Sequence, residues 1–217
     1  MTAETMSEFF SSRVNGYDEH MLNEVGGCRE GYRKMAELLP VQTESLLDLG
    51  CGTGLELDEI FRLFPSAAVT GIDLTPAMLD RLRQKHPDKK LVLVEGDYFQ
   101  CDFGSERFDA AVSFETMHHF PRAEKVRLYE KICRALKPGG TYIECDYMVT
   151  DSEEEELLRK EAERIRAEQH LPDAKIYHID TPYTVGHQIQ MLEQAGFIEA
   201  EALWRLGNTT IVQAKKG

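Results

Sequence analysis

Short apolar runs alternate along the chain with stretches in which apolar residues recur at helical spacing. Five runs have the length and composition of buried strands, and they are "SLLDL" (45–49), "AAVTGID" (67–73), "LVLVE" (91–95), "FDAAVSF" (108–114) and "TYIECDY" (141–147). Runs of this kind, separated by helical segments, are typical of a mostly parallel sheet with helices on both faces. The pattern therefore predicts an α/β fold.

Helical spacing is clearest between the predicted strands. One apolar set follows the i, i+3, i+4, i+7 rule and comprises Leu57, Ile60, Phe61 and Phe64. Thr75 followed by Pro76 is typical of a helix N-cap and first turn. A further helix is expected from about 121 to 136, where "KPGG" should end it. We interpret these helices as crossovers between parallel strands.

The C-terminal part of the chain has a different pattern. In "MLEQAGFIEAEALWRLGNTTIVQAKK" a helix should end at Gly196, and two strands joined at "GN" should follow. A final hairpin requires one strand of the sheet to run antiparallel. The acidic run from 151 to 170 carries an apolar stripe of Leu158, Ala162 and Ile165, which predicts an amphipathic helix with a solvated charged face.

Length and charge limit the class of protein. The chain has 217 residues with 42% hydrophobic content, which suits a single domain over 1–217. We expect residues 1–40, as a helical segment, and residues 148–183, inserted after the fifth strand, to form a cap over the sheet. A net charge of -13, from 25 basic and 38 acidic residues, argues against a nucleic acid partner.

Cysteine spacing and the N-terminus bear on the cellular compartment. The 5 cysteines include no CxxC pair, so the sequence predicts neither a disulfide framework nor a zinc knuckle, and a reducing cytoplasm fits best. The N-terminal "MTAETMSEFF" has no signal-peptide pattern, and no stretch approaches the roughly 20 apolar residues of a membrane helix. We expect a soluble cytoplasmic protein with no membrane partner, and the sequence leaves its oligomeric state open.

A glycine loop in "LLDLGCGTGLELDEI" (46–60) is the strongest local signal for a ligand. At the first strand-to-helix turn of a doubly wound sheet, glycines let the backbone approach a ligand and helix amides point at it. Gly50, Gly52 and Gly54 follow GxGxG, and Leu55 stands at the third glycine position of the dinucleotide pattern GxGxxG. Acids crowd the turn, and no Lys or Arg lies between Asp48 and Phe61. A ligand that carries positive charge suits the loop better than a pyrophosphate.

The sequence resembles the class I S-adenosylmethionine-dependent methyltransferases from about residue 45 to 216. "LLDLGCGTG" looks like the first motif of that family and "GIDLTPAML" like the second. "VEGDYF", "FDAAVSFETMHHF" and "LKPGGTYIECDY" resemble the segments around strands three, four and five. The resemblance implies a doubly wound, three-layer α/β/α fold with a seven-stranded, mostly parallel sheet in the order 3-2-1-4-5-7-6. Strand seven is then antiparallel, in agreement with the terminal hairpin.

The same resemblance implies which residues hold S-adenosylmethionine. Asp73 should accept hydrogen bonds from the ribose hydroxyls, a task suited to a carboxylate. Asp97 should meet the adenine amino group with Tyr98 beside it, and Tyr17 should reach the methionine end. The other implied cofactor contacts are Asp48, Gly50, Cys51, Gly52, Gly54, Leu74, Met78 and Phe114. The alternatives are that Asp73 only caps the next helix, that Asp97 is a turn acid and that Cys51 is merely small.

Methyl transfer from a sulfonium is a direct displacement, in which an acceptor lone pair attacks the methyl carbon. Alignment supplies much of the acceleration, and a base is needed only when the acceptor carries a proton. Ligands of such sheets lie outside the carboxyl ends of the strands, so the catalytic candidates after strand four are Glu115, His118 and His119. A helix-start or surface role is the alternative for the two histidines.

Substrate candidates lie after strand five and in the inserted segment. Asp146 and Tyr147 follow the strand, and His178 and Tyr183 belong to the loop "KIYHIDTPYT", whose alternative role is its own packing. We expect no metal. A divalent cation is conceivable if several side chains converge, but their spacing is not specific for metal and separate roles are favoured. These side chains are His118, His119, Glu144, Asp146, His178 and Asp180.

The predicted function is methyl transfer to the nitrogen or oxygen of a small molecule. The net charge of -13 and the acids Glu115, Asp146 and Asp180 favour a neutral or cationic acceptor. Three alternatives stay open. They are a noncatalytic cofactor-binding module, a nicotinamide oxidoreductase, which lacks its third glycine here, and a nucleic acid methyltransferase, although "SFETMHH" replaces the Asn/Asp-Pro-Pro-aromatic turn of base-amine enzymes.

Overall fold

The computed structural model describes residues 3–172 and 175–217, and within them the chain forms one seven-stranded sheet. Its strands are β1 (Ser45–Leu49), β2 (Ala68–Asp73), β3 (Lys90–Glu95), β4 (Phe108–Phe114), β5 (Leu136–Tyr147), β6 (Phe197–Leu206) and β7 (Thr209–Lys216). Their order is β3-β2-β1-β4-β5-β7-β6. Strand β7 is antiparallel to both β5 and β6, and the other pairs are parallel. The predicted fold class is confirmed.

Helices cover both faces of the sheet. They are α1 (Met6–Arg13), α2 (Tyr17–Asn23), α3 (Cys28–Leu38), α4 (Leu55–Leu63), α5 (Pro76–Lys85), α6 (Arg122–Ala135), α7 (Ser152–Glu168) and α8 (Val185–Gln194). Successive side chains of a strand point to opposite faces, so Leu46 belongs to the core under α3 and α4, whereas Leu47 belongs to the core under α6 and α8. Both faces of β1 are buried, which explains its continuous apolar run.

The element predictions hold, with one change at the start of β5. The predicted helix over 121–136 is α6, and the acidic amphipathic helix is α7, on which Ala162 is buried while Leu158 and Ile165 are half-buried. We expected "KPGG" (137–140) only to end the helix, but these four residues belong to the N-terminal part of β5. The pairing of β4 with β5 shifts register between Phe108 and Ala110, which accommodates these residues.

Loops from the carboxyl ends of β1, β2, β4 and β5 meet at one edge of the sheet, as parallel strands require. Helix α1 and the segment 175–181 lie over this edge and are joined to each other. The amide of Met6 donates to the carbonyl of Ile176, and the amide of His178 donates to the carbonyl of Glu4. In the part of the chain described, none of the helices combines the length and apolarity needed to cross a bilayer.

Candidate active site

The glycine loop links β1 to α4 in a left-handed backbone conformation that residues other than glycine rarely adopt. Gly50, Gly52 and Gly54 have φ angles of +70°, +46° and +75°. A Cβ atom at Gly50 would lie 2.7 Å from the Thr116 hydroxyl, and one at Gly54 would lie 2.4 Å from Leu82 Cδ1. The spacing of glycines thus reflects both the left-handed backbone and the closeness of neighbouring side chains.

Asp73, at the carboxyl end of β2, holds the loop in place. Its Oδ2 accepts a hydrogen bond from the amide of Gly52, and its Oδ1 accepts one from the amide of Thr75, both at 2.8 Å. Burial raises the pKa of this carboxyl, and the two amides oppose that change. Each oxygen retains a further lone pair for a ligand, because each accepts one bond from the protein here.

A cavity beside this loop, which we call the glycine-loop pocket, brings together most of the predicted cofactor residues. Those that line it are Tyr17, Gly50, Gly52, Asp73, Leu74, Met78, Tyr98 and Phe114. Seven further lining residues were not predicted as cofactor contacts, and they are Met6, Phe10, Thr75, Glu115, Thr116, His119 and Phe120. The hydroxyl groups of Thr116 and Tyr98 form a hydrogen bond of 3.1 Å, in which either can be the donor. Met6 and Phe10 come from α1, which no local motif connects to the pocket.

Four predicted cofactor residues lie outside the lining of this pocket. Cys51 packs against Gly71 of the neighbouring strand, where a Cβ atom would come 2.8 Å from its sulfur. Gly54 is the left-handed N-cap of α4. Asp97 Oδ1 accepts from the amide of Phe99 at 2.8 Å, which is the turn role given above as its alternative. The fourth is Asp48.

Asp48 lies beneath the loop against Glu56, a residue whose position in the fold the sequence did not predict. Both are buried, at 1% and 5% exposure. Among the described residues, neither Asp48 oxygen nor Oε1 of Glu56 has a hydrogen-bond partner. Burial raises the pKa of Asp48 to about 7, and burial together with the charge of Asp48 raises that of Glu56 well above its usual range. A proton held by either carboxyl removes one of two negative charges that would otherwise be buried side by side.

The second cluster lies where β4 and β5 end and centres on His118. Nδ1 of His118 is 2.5 Å from Oδ1 of Asp146 and 3.7 Å from Oε2 of Glu115, while Nε2 is 3.6 Å from Oδ1 of Asp180. Burial disfavours the imidazolium, but the charge and hydrogen bond of Asp146 and the charges of Glu115 and Asp180 outweigh it. The pKa of His118 is raised to about 9.

Glu115 occupies a strained position between the two cavities. Its φ angle is +47°, a conformation that is uncommon for a residue other than glycine and that clusters at functional sites. Its amide donates to the carbonyl of Cys145 at 2.8 Å, which fixes the turn after β4. Burial raises the pKa of Glu115 to about 8, against the opposing charge of His118.

His119 faces Asp180 from the short 3-10 turn Met117–His119. Its side chain is 2% exposed, and Nδ1 lies 3.1 Å from Oδ1 of Asp180, whose side chain is 43% exposed. Burial, followed by the charge of His118, lowers the pKa of His119 to about 4. The neighbouring histidines, His119 first, hold the pKa of Asp180 below its usual range despite its partial burial.

A second cavity, the histidine chamber, lies between this cluster and the N-terminal helices. Its lining residues include Phe9, Phe10, Arg13, Tyr17, Met21, Glu115, His118, His119, His178 and Asp180. Four of them, Phe10, Tyr17, Glu115 and His119, also line the glycine-loop pocket. The ring of His178 stacks on Phe9 with centroids 3.6 Å apart. The two cavities therefore share a wall.

The other residues predicted to bind substrate or a cation do not line the histidine chamber. Asp146 is buried behind His118, and Tyr147 lines a groove on the far side of Glu115 and His118. The Tyr183 hydroxyl accepts from the amide of Arg122 at 2.7 Å, and this residue does not line the chamber. Glu144, weighed above as a cation ligand, instead accepts bonds from Tyr129, Tyr142 and Gln188 and is not brought to the cluster.

Residues 46–140 match the family model described as a methyltransferase domain. The chain is 32% identical over 169 residues to a sterol 24-C-methyltransferase of Candida albicans, which covers 73% of this chain and 44% of that relative. It is 33% identical over 115 residues to a fatty-acid O-methyltransferase of Mycolicibacterium smegmatis, covering 53% of this chain and 41% of the relative. The chain spans less than half the length of these curated relatives.

Solved structures of methyltransferases share the fold. Human N-acetylserotonin methyltransferase in complex with S-adenosylmethionine superposes with a TM-score of 0.68 at 20% identity, covering 97% of this chain and 59% of that one. Streptomyces venezuelae DesVI superposes with a TM-score of 0.69 at 17% identity, covering 94% and 98%. Residues 46–140 thus match a methyltransferase domain, as the motifs predicted, and the whole chain shares its fold with S-adenosylmethionine-dependent methyltransferases.

Proposed function

We propose that the chain binds S-adenosylmethionine in the glycine-loop pocket and transfers its methyl group to a small molecule in the histidine chamber. The observation that carries this proposal is the wall shared by the two cavities, formed by Phe10, Tyr17, Glu115 and His119. A displacement needs the acceptor atom and the methyl carbon to approach in line, and adjoining cavities support that geometry.

The cofactor pocket offers what a cationic nucleoside needs. Asp73 retains acceptor capacity for ribose hydroxyls, and the glycine backbone allows close approach. Tyr17, Tyr98 and Phe114 supply aromatic surface, and aromatic rings attract cations. Asp48 would act indirectly, because it lies beneath the loop and not in the pocket lining.

Charge in the histidine chamber favours a neutral or cationic acceptor with a nitrogen or oxygen nucleophile. Glu115 and Asp180 line the chamber and Asp146 lies behind His118. Arg13 is the basic side chain in the wall, but it pairs with Glu4 at 2.9 Å and lies over the Phe9 ring. Our candidates for catalytic residues are Glu115, His118 and His119. Of these, His119, whose pKa is lowered to about 4, is unprotonated at neutral pH and can take a proton from the acceptor.

A sterol-like carbon acceptor is the second candidate, because the sterol 24-C-methyltransferase of Candida albicans is 32% identical to this chain over 169 residues. A methyl group added to an alkene leaves a carbocation, and the rings of Phe9, Phe10 and Tyr17 in the chamber could stabilise it. The polar histidine and carboxylate side of the chamber favours the first candidate.

The test is incubation with methyl-labelled cofactor and metabolite pools sorted by charge, with a sterol pool, tRNA and a protein extract as separate arms. We expect label in the neutral or cationic small-molecule pool. Asp73→Ala is the control. At a cofactor concentration below the wild-type Kd its labelling should fall at least about tenfold, and undiminished label identifies a contaminating enzyme. Label confined to tRNA, protein or the anionic pool would contradict the proposed acceptor class, and label in the sterol pool would select the second candidate.

A further inference from the structure

We propose that His118, His119 and Asp180 bind one divalent transition-metal ion, with zinc as the reference, in the wall of the histidine chamber. Each of the three side chains places one potential ligand atom within 4.8 Å of the other two. Two imidazoles and one carboxylate are a donor set that zinc accepts, with a fourth position left for water or substrate. The sequence favoured separate roles for these residues, and their convergence is the reason for this different interpretation.

The separations of the ligand atoms suit a tetrahedral ion. With zinc–nitrogen and zinc–oxygen bonds of about 2.0–2.1 Å, neighbouring ligand atoms of a tetrahedral site are about 3.3 Å apart. Oδ1 of Asp180 lies 3.1 Å from Nδ1 of His119 and 3.6 Å from Nε2 of His118. Both separations lie within about 0.3 Å of that value, and the third pair of ligand atoms lies within 4.8 Å.

An unpaired buried nitrogen points to a missing ligand. Nδ1 of His119 belongs to a side chain that is 2% exposed, and it makes no hydrogen bond within residues 3–172 and 175–217. It is nevertheless only 3.1 Å from Asp180 Oδ1. A proton on Nδ1 or a cation bound by both atoms would join them, and the lack of hydrogen-bond geometry at this short distance favours the cation.

Contacts behind two of the ligands, His118 and Asp180, hold them in place. Nδ1 of His118 is bonded to Asp146 at 2.5 Å, so Nε2 remains as the ligand atom. This carboxylate–histidine arrangement is the usual support of a metal-binding imidazole. The carbonyl of His118 accepts from both the amide and the hydroxyl of Thr181, at 2.6 and 3.1 Å, which keeps the neighbouring Asp180 beside the ring.

The alternative grouping of Glu115, His118 and Asp146 is less suitable as a ligand set. It also lies within 4.8 Å, but it requires Nδ1 of His118 and Oδ1 of Asp146, which are 2.5 Å apart, to bind the same ion. That separation is a hydrogen bond and is too short for two ligands of one zinc ion. Glu115 and Asp146 instead flank Nδ1 of His118 on the side away from the proposed ion.

The open coordination position faces the histidine chamber, because all three ligands line it. The use of the ion rests on the proposed function. It would bind an acceptor hydroxyl and lower its pKa, so that the proton passes to solvent and a remaining oxygen lone pair attacks the methyl carbon. His118 and His119 would then serve as ligands in place of their role as bases. Occupancy of the site can be measured without activity.

The experiment is zinc titration of the full chain after removal of metal with a chelator, with one arm containing Mg²⁺ in place of Zn²⁺. We expect one zinc per chain by elemental analysis and a Co²⁺ derivative with the visible spectrum of a four-coordinate site. Asp180→Asn should weaken zinc binding at least tenfold, and Asp146→Asn by roughly 10–100-fold. Mg²⁺ should not compete, since it prefers oxygen ligands in octahedral geometry.

Asp58→Asn is the matched control, because Asp58 makes another histidine contact, 2.8 Å from His86 Nε2, outside the chamber. It should leave zinc affinity unchanged. Circular dichroism verifies that each variant is folded. Failure of the wild-type chain to bind one zinc, or equal affinity in Asp180→Asn, overturns the proposal. Calorimetry with S-adenosylhomocysteine on the same samples reports on the glycine-loop pocket separately, so failure of the proposed function is distinguishable.

Discussion

Nδ1 of His118 and Oδ1 of Asp146 lie 2.5 Å apart at the carboxyl ends of β4 and β5, and both side chains are buried. The charged groups that face His118 are Glu115, Asp146 and Asp180, with His119 beside it. Asp146→Asn keeps a hydrogen-bond acceptor but removes one charge. We expect the pKa of His118, about 9 in the metal-free protein, to fall by at least one unit in an NMR titration of its ring protons.

The same substitution should change stability in a pH-dependent way. The pKa of His118 is raised in the folded state, so the interaction stabilises the fold below the unfolded value of about 6.5 and is lost as pH rises through about 9. Urea unfolding should show a deficit of at least about 1.4 kcal/mol for Asp146→Asn at pH 6, the equivalent of one pKa unit, and this deficit should shrink by pH 9.5. Asp80→Asn, an exposed acid on α5, is the control. An unaltered His118 titration in Asp146→Asn would refute this assignment.

Asp48 and Glu56 should destabilise the fold at high pH. Burial raises the pKa of Asp48 from 3.8 to about 7, so folding favours its protonated form. The contribution of protonated Asp48 to the free energy of unfolding is fully present below pH 3.8. It is lost as the pH rises from 3.8 through about 7. Asp48→Asn should therefore raise the free energy of unfolding at pH 8 by roughly 2–4 kcal/mol. At pH 4 the two proteins should differ little, and a gain of equal size at both pH values would exclude ionisation as its cause.

Gly54 should not tolerate a side chain, for local reasons. Its φ angle is +75°, and a Cβ atom would meet Leu82 Cδ1 at 2.4 Å. Gly54→Ala should cost roughly 2–4 kcal/mol in urea unfolding, from the left-handed backbone and the overpacking together. Gly186→Ala is the matched control, because Gly186 lies in α8 with open space around its Cβ position. It should stabilise by about 0.5–1 kcal/mol, and equal effects of the two substitutions would contradict this explanation.

Local patterns predicted the sheet and much of the cofactor pocket. Strands β1 and β4 have the predicted bounds, because apolar runs between turn residues determine them. The glycines follow β1 and Asp73 ends β2. Because β1 and β2 are neighbouring parallel strands, the predicted fold class already implied that these residues lie close together. Spacing could not predict that Met6 and Phe10 cover the pocket, since α1 packs there through contacts with the distant segment 175–181.

Side-chain orientation explains what the sequence missed in the histidine chamber. His118, His119 and Asp146 were identified at strand ends, but which ring nitrogen faces which carboxylate depends on the 3-10 turn Met117–His119 and on the bonds from Thr181. Glu56 was recognised as an acid near the turn. Its contact with Asp48 depends on how α4 begins beneath the loop, and a buried pair of acids has no sequence signature.

Binding of S-adenosylmethionine in the glycine-loop pocket can be measured by calorimetry on the wild-type chain and on Asp73→Ala. Loss of charge-assisted hydrogen bonds should weaken binding by roughly 1.5–3 kcal/mol, or about 10- to 150-fold. Asp80→Ala, which removes an exposed acid from α5, should bind as the wild type does. Saturable binding by the wild type that is weakened only by Asp73→Ala is the predicted result. No binding by the wild type, or equal affinity in Asp73→Ala, would contradict the account.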